Sequence, residues 1–305
     1  MLSNEEIINV VYALDDNYVK LLGVSLCSLL SNNQGNKICV FILDCGIDTE
    51  NKNALDRLAR GYGITLLWFD IQPYLLSSDW KSTNIYPKTV CGRLYVDLLP
   101  ETIERILYLD CDTIINDDIK KLWSLDIGNA IVFGRKESLD FSMARSKSLN
   151  FRFSGNYINS GVLVIDINRY KRENCREKVM EVLNDPNQKL YFYDQDAINI
   201  ALYGFINPNM PFDFNSPFVR GSRPTILHYG GSVARANLSF FRKLYCPYLN
   251  RTEWKNDTSL VSCSRHRRNK DRVLIALQDG YVPGGKALYS LSLKIHKLTK
   301  QWKKK

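Results

Sequence analysis

No uninterrupted apolar run of about 18 residues occurs in the 305-residue chain, so no segment reads as a membrane-spanning helix. Its eight cysteines, at positions 27, 39, 45, 91, 111, 175, 246 and 263, form no C-x-x-C pair, and only three histidines accompany them. This excludes a zinc ladder or a disulfide scaffold and fits a reducing compartment, where cysteine serves as a small hydrophobe. The opening MLSNEEIINVVYAL carries acids ahead of its apolar stretch, unlike a signal peptide, and reads as a first strand. Internal repeats are absent, as is low-complexity sequence before Arg265.

Negative charge is what the carboxyl end lacks. The net charge is +9, yet residues 264–305 hold twelve Lys/Arg against two acids, which leaves residues 1–263 close to neutral. Charge confined to one end argues against a nucleic-acid-binding domain. It divides the chain into a unit at 1–263 and a basic extension at 264–305. In that extension Leu288, Leu291, Ile295, Leu298 and Trp302 step by 3 and 4, which lines them on one helical face, and residues 286–305 carry seven lysines and no acid. A basic amphipathic helix of this kind suits an anionic membrane surface; the competing reading is a terminal helix docked on its own domain with a solvated edge. The expected location is cytoplasmic and peripheral, on the inner face of the cell membrane.

IINVVYAL (7–14) is a continuous apolar run of strand length, and VKLLGVSLCSLLSNN after it repeats its apolar residues at helical spacing. KICVFILDCG (37–46) is a second strand, DTENKNALDRLARGYG a helix with Asp48 as its expected N-cap, and ITLLWFD (64–70) a third strand. This alternation predicts a parallel sheet with helices on both faces. Farther on, a helix is expected over 89–97, strands at RILYLDCD (105–112), AIVFG (130–134) and SGVLVIDI (160–167), helices at ENCREKVMEVLND and DQDAINIALYG, and a short strand in PTILHYGG (224–231). Residues 138–156, polar and with few strand signals, read as a loop or lid.

The fourth strand ends on Asp110 and Asp112. In extended backbone these two point to one side and can aim at a single cation, while Cys111 points away. The carboxyl edge of an open α/β sheet is where ligands bind, and hard carboxylate oxygens combined with substrate phosphates suit Mn2+ or Mg2+. D-x-D also occurs at Asp194/Asp196, and about one or two matches are expected by chance, so the strand context carries the weight. Phosphatases of the haloacid dehalogenase type place D-x-D-x-[TV] on their first strand. Here Ile114 stands at the Thr/Val position and three strands come before, so that reading fits poorly.

Five segments, in order, resemble the family-8 retaining glycosyltransferases. They are YALDDNYVKLLGVSLCSLL, CGRLYVDLLPETIERILYLDCDTII, YINSGVLVIDINRY, DQDAINI and LHYGG, which together cover about residues 7–231. The resemblance implies a single Rossmann-like nucleotide-sugar-binding domain of the GT-A type, with a mixed, mostly parallel sheet and a basic C-terminal helical tail. It implies metal ligation by Asp110, Asp112 and His228. Uridine would meet the Ala13 backbone, Asp15 and Asn17, and Arg93, Cys111, Gly231 and Arg235 would belong to the donor-binding set. Asn159, Asp194 and Gln195 would line the sugar pocket, with Gln195 and Asp194 the catalytic candidates, and Glu137 takes the place of an acidic residue near donor or acceptor. The implied reaction moves galactose or glucose from a UDP-hexose, with Mn2+ or Mg2+, to a glycan acceptor on a lipid or protein. One departure stands out: the family's K-P-W after the His-Tyr segment is missing, with Ala234 at the lysine position and Arg235 one residue later. The alternative expectation is therefore a catalytically weak nucleotide-sugar-binding or scaffold protein of the same fold.

Overall fold

The computed structural model describes residues 6–78, 87–217, 223–229 and 239–257. The apolar runs become strands β1 (Ile8–Leu14), β2 (Ile38–Asp44), β3 (Leu66–Asp70) and β4 (Arg105–Leu109). After them come β5 (Thr113–Ile115), β6 (Val132–Lys136), β7 (Ile158–Asp166), β8 (Ile206–Asn207) and β9 (Ile226–His228). Seven of these form one sheet in the order β3-β2-β1-β4-β7-β6-β8, and β5 pairs with β9 alone. The first four strands run parallel, whereas β7 is antiparallel to both β4 and β6. The sheet is therefore mixed, with an unbroken parallel half.

Helices α1 (Val19–Asn32), α2 (Thr49–Arg60), α3 (Gln72–Ser77), α4 (Lys120–Trp123), α5 (Leu139–Leu149), α6 (Ile167–Arg172), α7 (Cys175–Asn184), α8 (Tyr193–Ala201) and α9 (Ser239–Leu249) cover it. The two-residue period of the strands divides the core. Val10, Tyr12 and Leu14 enter one cluster with α1, α2 and α9, while Val11, Phe41, Tyr108 and Leu163 enter another with residues 91–99, α7 and α8. Gly23 lets the C-terminal segment close on α1, because a Cβ there would run into the Trp254 ring. Ion pairs Lys20–Asp257 and Arg57–Glu253 flank that contact.

Two expectations need correction, and a third, the N-cap, holds in position only. Residues 88–98 form 3-10 turns interrupted at Tyr95 and not a regular α-helix. Asp48 takes the N-cap position of α2 without a side-chain cap bond; its N–H donates instead to Asp16 Oδ1 at 3.0 Å. The stretch 138–156 is not a loop throughout, since α5 fills most of it. Ser138 Oγ accepts the Phe141 N–H, Asn150 closes the helix in the left-handed region, and only Ser142 and Leu149 are buried, so the apolar periodicity that marks a helix is faint. Among the described residues no helix is long and apolar enough to cross a membrane. Residues 264–305 lie outside the described residues.

Candidate active site

Strand β4 stops at Leu109, so Asp110 and Asp112 occupy the turn leading into β5 and not the extended strand end that the sequence pattern implied. The turn forms because the Asp110 N–H donates to the Gly161 carbonyl (2.8 Å) while Thr113 Oγ1 donates back to the Asp110 carbonyl (2.8 Å). Cys111 is buried in the core, which raises its thiol pKa well above the ordinary value, so only its backbone is open to a ligand. The two carboxylates converge through the turn, not through strand alternation.

His228 reaches them through the β5–β9 ribbon. Antiparallel pairing sets Thr113 opposite His228, and the Tyr229 N–H donates to the Asp112 carbonyl at 3.1 Å. His228 Nε2 then lies 3.2 Å from Asp112 Oδ1 and 3.6 Å from Asp110 Oδ2. One ligand atom from each of the three groups falls within 4.8 Å of the others. Burial works against the imidazolium, but Asp112 and Asp110 outweigh it and hold the His228 pKa above its ordinary value. The other ring nitrogen, Nδ1, pairs with Asn215 Oδ1 at 3.1 Å; with a cation between the three groups the ring would keep its proton on Nδ1 and turn the Nε2 lone pair to that cation. Two carboxylates and an oriented imidazole suit a hard or borderline divalent cation.

Asn215 belongs to a longer chain of contacts. Its Nδ2 donates to Asn159 Oδ1 (3.1 Å), Asn159 Nδ2 donates to Glu137 Oε1 (2.9 Å), and Glu137 Oε2 sits 3.4 Å from Arg135. Asn159 thus braces the His228 side of the site. Gly161, two residues on, is the spacer: a Cβ there would lie 2.5 Å from His228 Nδ1.

Arg93 joins the carboxylates to β7 and α8. Its guanidinium contacts Asp110 Oδ1 (3.0 Å) and Asp194 Oδ2 (2.8 Å), and Nη1 donates to the Ser160 carbonyl (2.7 Å). It also lies over the Tyr108 ring, 5.0 Å from the centroid, and the Tyr108 hydroxyl donates to Asp110 Oδ1. Burial raises the Asp194 pKa to about 6 although Arg93 opposes it. Gln195 Oε1 accepts the Ser160 N–H (3.0 Å) and its Nε2 donates to the Tyr157 hydroxyl (3.1 Å), so both ends of the amide are engaged. Asp110, Asp112, His228, Arg93, Asn159, Asp194 and Gln195 therefore form one connected group. Sequence reasoning missed Ser160, Gly161 and Asn215; Ser160 and Gly161, both inside INSGV, carried a signal and Asn215 did not.

The ALDDN loop lies at the same sheet edge, after β1. Asp15 caps the turn Asp16–Tyr18 by accepting the Asn17 N–H, and Thr89 Oγ1 donates to its other oxygen at 2.8 Å. Asp16 Oδ1 accepts from Asn51 Nδ2 (2.8 Å); Asn17 is exposed, and Ala13 is half-buried beside Gly92. Gly231 and Arg235 lie outside the described residues.

A half-sheet of parallel strands with an Asp–Asp–His group at its carboxyl edge defines a Rossmann-like α/β protein of the GT-A type. More specifically, the chain belongs to glycosyl transferase family 8, whose family model matches residues 9–218. General stress protein A of Bacillus subtilis is 33% identical over 204 residues, which is 65% of this chain and 70% of that protein. A lipopolysaccharide 1,2-glucosyltransferase of Escherichia coli is 25% identical over 319 residues, covering 93% of this chain and 90% of its own. Among solved structures, the galactosyltransferase LgtC in complex with donor and acceptor sugar analogs matches with a TM-score of 0.66 at 22% identity, over 86% of this chain and 100% of that one. The bifunctional glycosyltransferase WbbM matches with a TM-score of 0.71 at 19% identity, over 86% of this chain and 53% of its own, so this chain spans about half of it. Likeness at that identity shows the fold.

Proposed function

We propose that the chain is a retaining hexosyltransferase that uses Mn2+ or Mg2+ to move galactose or glucose from a UDP-hexose to a glycan acceptor on a lipid or protein. The observation that carries this reading is the convergence of Asp110, Asp112 and His228 beside Arg93 at the carboxyl edge of the parallel half-sheet. Held by those three residues, the cation would neutralise the charge that grows on the nucleoside diphosphate as the glycosidic bond breaks. Asp15, Asn17 and the Ala13 backbone offer donors and acceptors for the uridine. Arg93 fixes Asp110 and Asp194, and Gly231 and Arg235 would complete the diphosphate side. Asn159, Asp194 and Gln195 would meet the sugar hydroxyls with the N–H and oxygen lone pairs that their contacts to Glu137, Arg93, Ser160 and Tyr157 leave over.

The Asp194 carboxylate is paired with Arg93 and both ends of the Gln195 amide are occupied, which supports a front-face route over attack by either side chain. In that route the leaving phosphate helps to deprotonate the acceptor. Relatives named lipopolysaccharide 1,2-glucosyltransferase and lipopolysaccharide 1,3-galactosyltransferase support glucose or galactose on a lipid-linked glycan. Product analysis by NMR after reaction with UDP-glucose and UDP-galactose tests the reading: an α-linked product retains the donor configuration, and a β-linked product contradicts it.

Residues 1–263 then form the catalytic unit, and 264–305 the extension that rests on the anionic inner face of the membrane. Deleting 286–305 should abolish co-sedimentation with anionic vesicles while leaving turnover of a water-soluble acceptor intact. Co-sedimentation unchanged by the deletion contradicts the membrane role.

A further inference from the structure

Arg145 of α5 takes no part in the group described above. Its guanidinium carbon lies 4.8 Å from the Tyr191 ring centroid, 5.3 Å from Phe192 and 5.6 Å from Phe141. Nε and Nη1 are sealed from water and meet no hydrogen-bond acceptor. The buried acid of the same neighbourhood, Asp196, is already engaged, accepting from the Tyr157 hydroxyl (2.5 Å) and from the N–H groups of Tyr191 (2.7 Å) and Phe192 (2.8 Å). Glu137 faces Asn159 and Arg135 instead. Among the described residues, Arg145 Nε and Nη1 thus meet ring faces and no acceptor.

Ring faces offset part of the desolvation of a guanidinium, but they leave its N–H donors unsatisfied. An anion that turns aside one of the half-exposed covering rings, Tyr191 or Phe192, would make a charge-assisted bond to those donors in surroundings of low dielectric, where the bond is stronger than in water. The position is also telling. Tyr191 and Phe192 lie three and two residues before Asp194 in the chain, and Phe141 packs edge-on against Tyr157 (5.7 Å), which is hydrogen-bonded to Gln195. On the outer side Leu139 is 64% exposed, Met143 61%, Tyr191 50% and Phe192 40%. Flat, exposed rings around a cation, one contact from the sugar-pocket residues, match a charged sugar better than a neutral one.

We propose that Arg145, with the exposed faces of Tyr191 and Phe192, forms an acceptor subsite that selects glycans carrying an anionic substituent, a phosphate or a carboxylate, beside the hydroxyl to be extended. This rests on the transferase reading above. The test uses the full-length protein saturated with UDP and Mn2+, so that the diphosphate site is filled, titrated with methyl glucoside, glucose 6-phosphate and glucuronic acid and followed by calorimetry or ligand NMR. At least one anionic sugar should bind about tenfold or more tighter than methyl glucoside, and the stronger of the two identifies phosphate or carboxylate. The preference should fall to within twofold in Arg145→Met and survive in part in Arg145→Lys, with UDP affinity unchanged in both. Equal binding of all three sugars by the wild type, or a preference that persists in Arg145→Met, overturns the proposal. The separate UDP titration reports on the donor reading, so the two can fail independently.

Discussion

Replacing Gly161 with alanine puts the smallest side chain at the tightest point of the site. The new Cβ would lie 2.5 Å from His228 Nδ1 and 2.8 Å from Nε2. The backbone has little room to yield, because the Gly161 carbonyl accepts from the Asp110 N–H (2.8 Å) and the Gly161 N–H donates to Asn159 Oδ1 (3.0 Å). The imidazole must therefore retreat by about 1 Å or more to recover ordinary van der Waals separation. That movement breaks the 3.1 Å contact with Asn215 and withdraws Nε2 from Asp112. Displacing a first ligand and its orienting partner together should weaken Mn2+ binding about 100-fold. Overpacking should lower stability by about 1–3 kcal/mol, which leaves the protein folded. Mn2+ affinity from electron paramagnetic resonance, read beside a urea unfolding curve, separates the two effects. A folded Gly161→Ala protein that binds Mn2+ within twofold of wild type refutes the reasoning.

Other substitutions probe the same group from different sides. Asn215→Leu removes the acceptor for His228 Nδ1 and should lower Mn2+ affinity by about 10-fold or more, while Asn215→Asp, which keeps an acceptor, should lose less; the same resonance titration measures both. Arg93→Met strands the Asp110 and Asp194 carboxylates in a nearly buried setting and should cost about 3–5 kcal/mol in urea unfolding, and Arg93→Lys should recover little because one ammonium cannot serve Asp110, Asp194 and Ser160 together. Asp194, whose pKa rises from 3.8 to about 6 on folding, favours the folded state most when protonated; its contribution is complete below the unfolded value and is lost as pH rises through about 6. In metal-free protein the stability of Asp194→Asn relative to wild type should therefore improve by about 2 kcal/mol between pH 4 and pH 7, and a pH-independent difference contradicts this.

The parallel half of the fold was legible because β1, β2 and β4 are apolar on both faces, and runs such as VVYAL and ICVFIL are of strand length and rich in β-branched and aromatic residues. The α5 helix was not, since its sequence LDFSMARSKSL buries only two residues and is held by a Ser138 cap and aromatic edges that no periodicity reports. Asp110 and Asp112 were found for a reason that needed amending: they converge because a turn is pinned by Gly161 and Thr113, not because a strand alternates. His228 came into view only through the resemblance of LHYGG, for its closeness to Asp112 depends on the long-range pairing of β5 with β9. Asn215 carried no signal at all. It sits in an irregular stretch between α8 and β9, and its role depends on four side chains drawn from separate parts of the chain.

The most direct test of the central claim, that the Asp110–Asp112–His228 group supports sugar transfer from a UDP-hexose, is UDP release by purified full-length protein from a panel of UDP-sugars, with and without Mn2+, in wild type and Asp112→Ala. The account predicts release from UDP-glucose or UDP-galactose that requires the metal and disappears in Asp112→Ala while the variant stays folded. Donor binding without release from every UDP-sugar, with Mn2+ present, contradicts it and leaves a nucleotide-sugar-binding protein of the same fold.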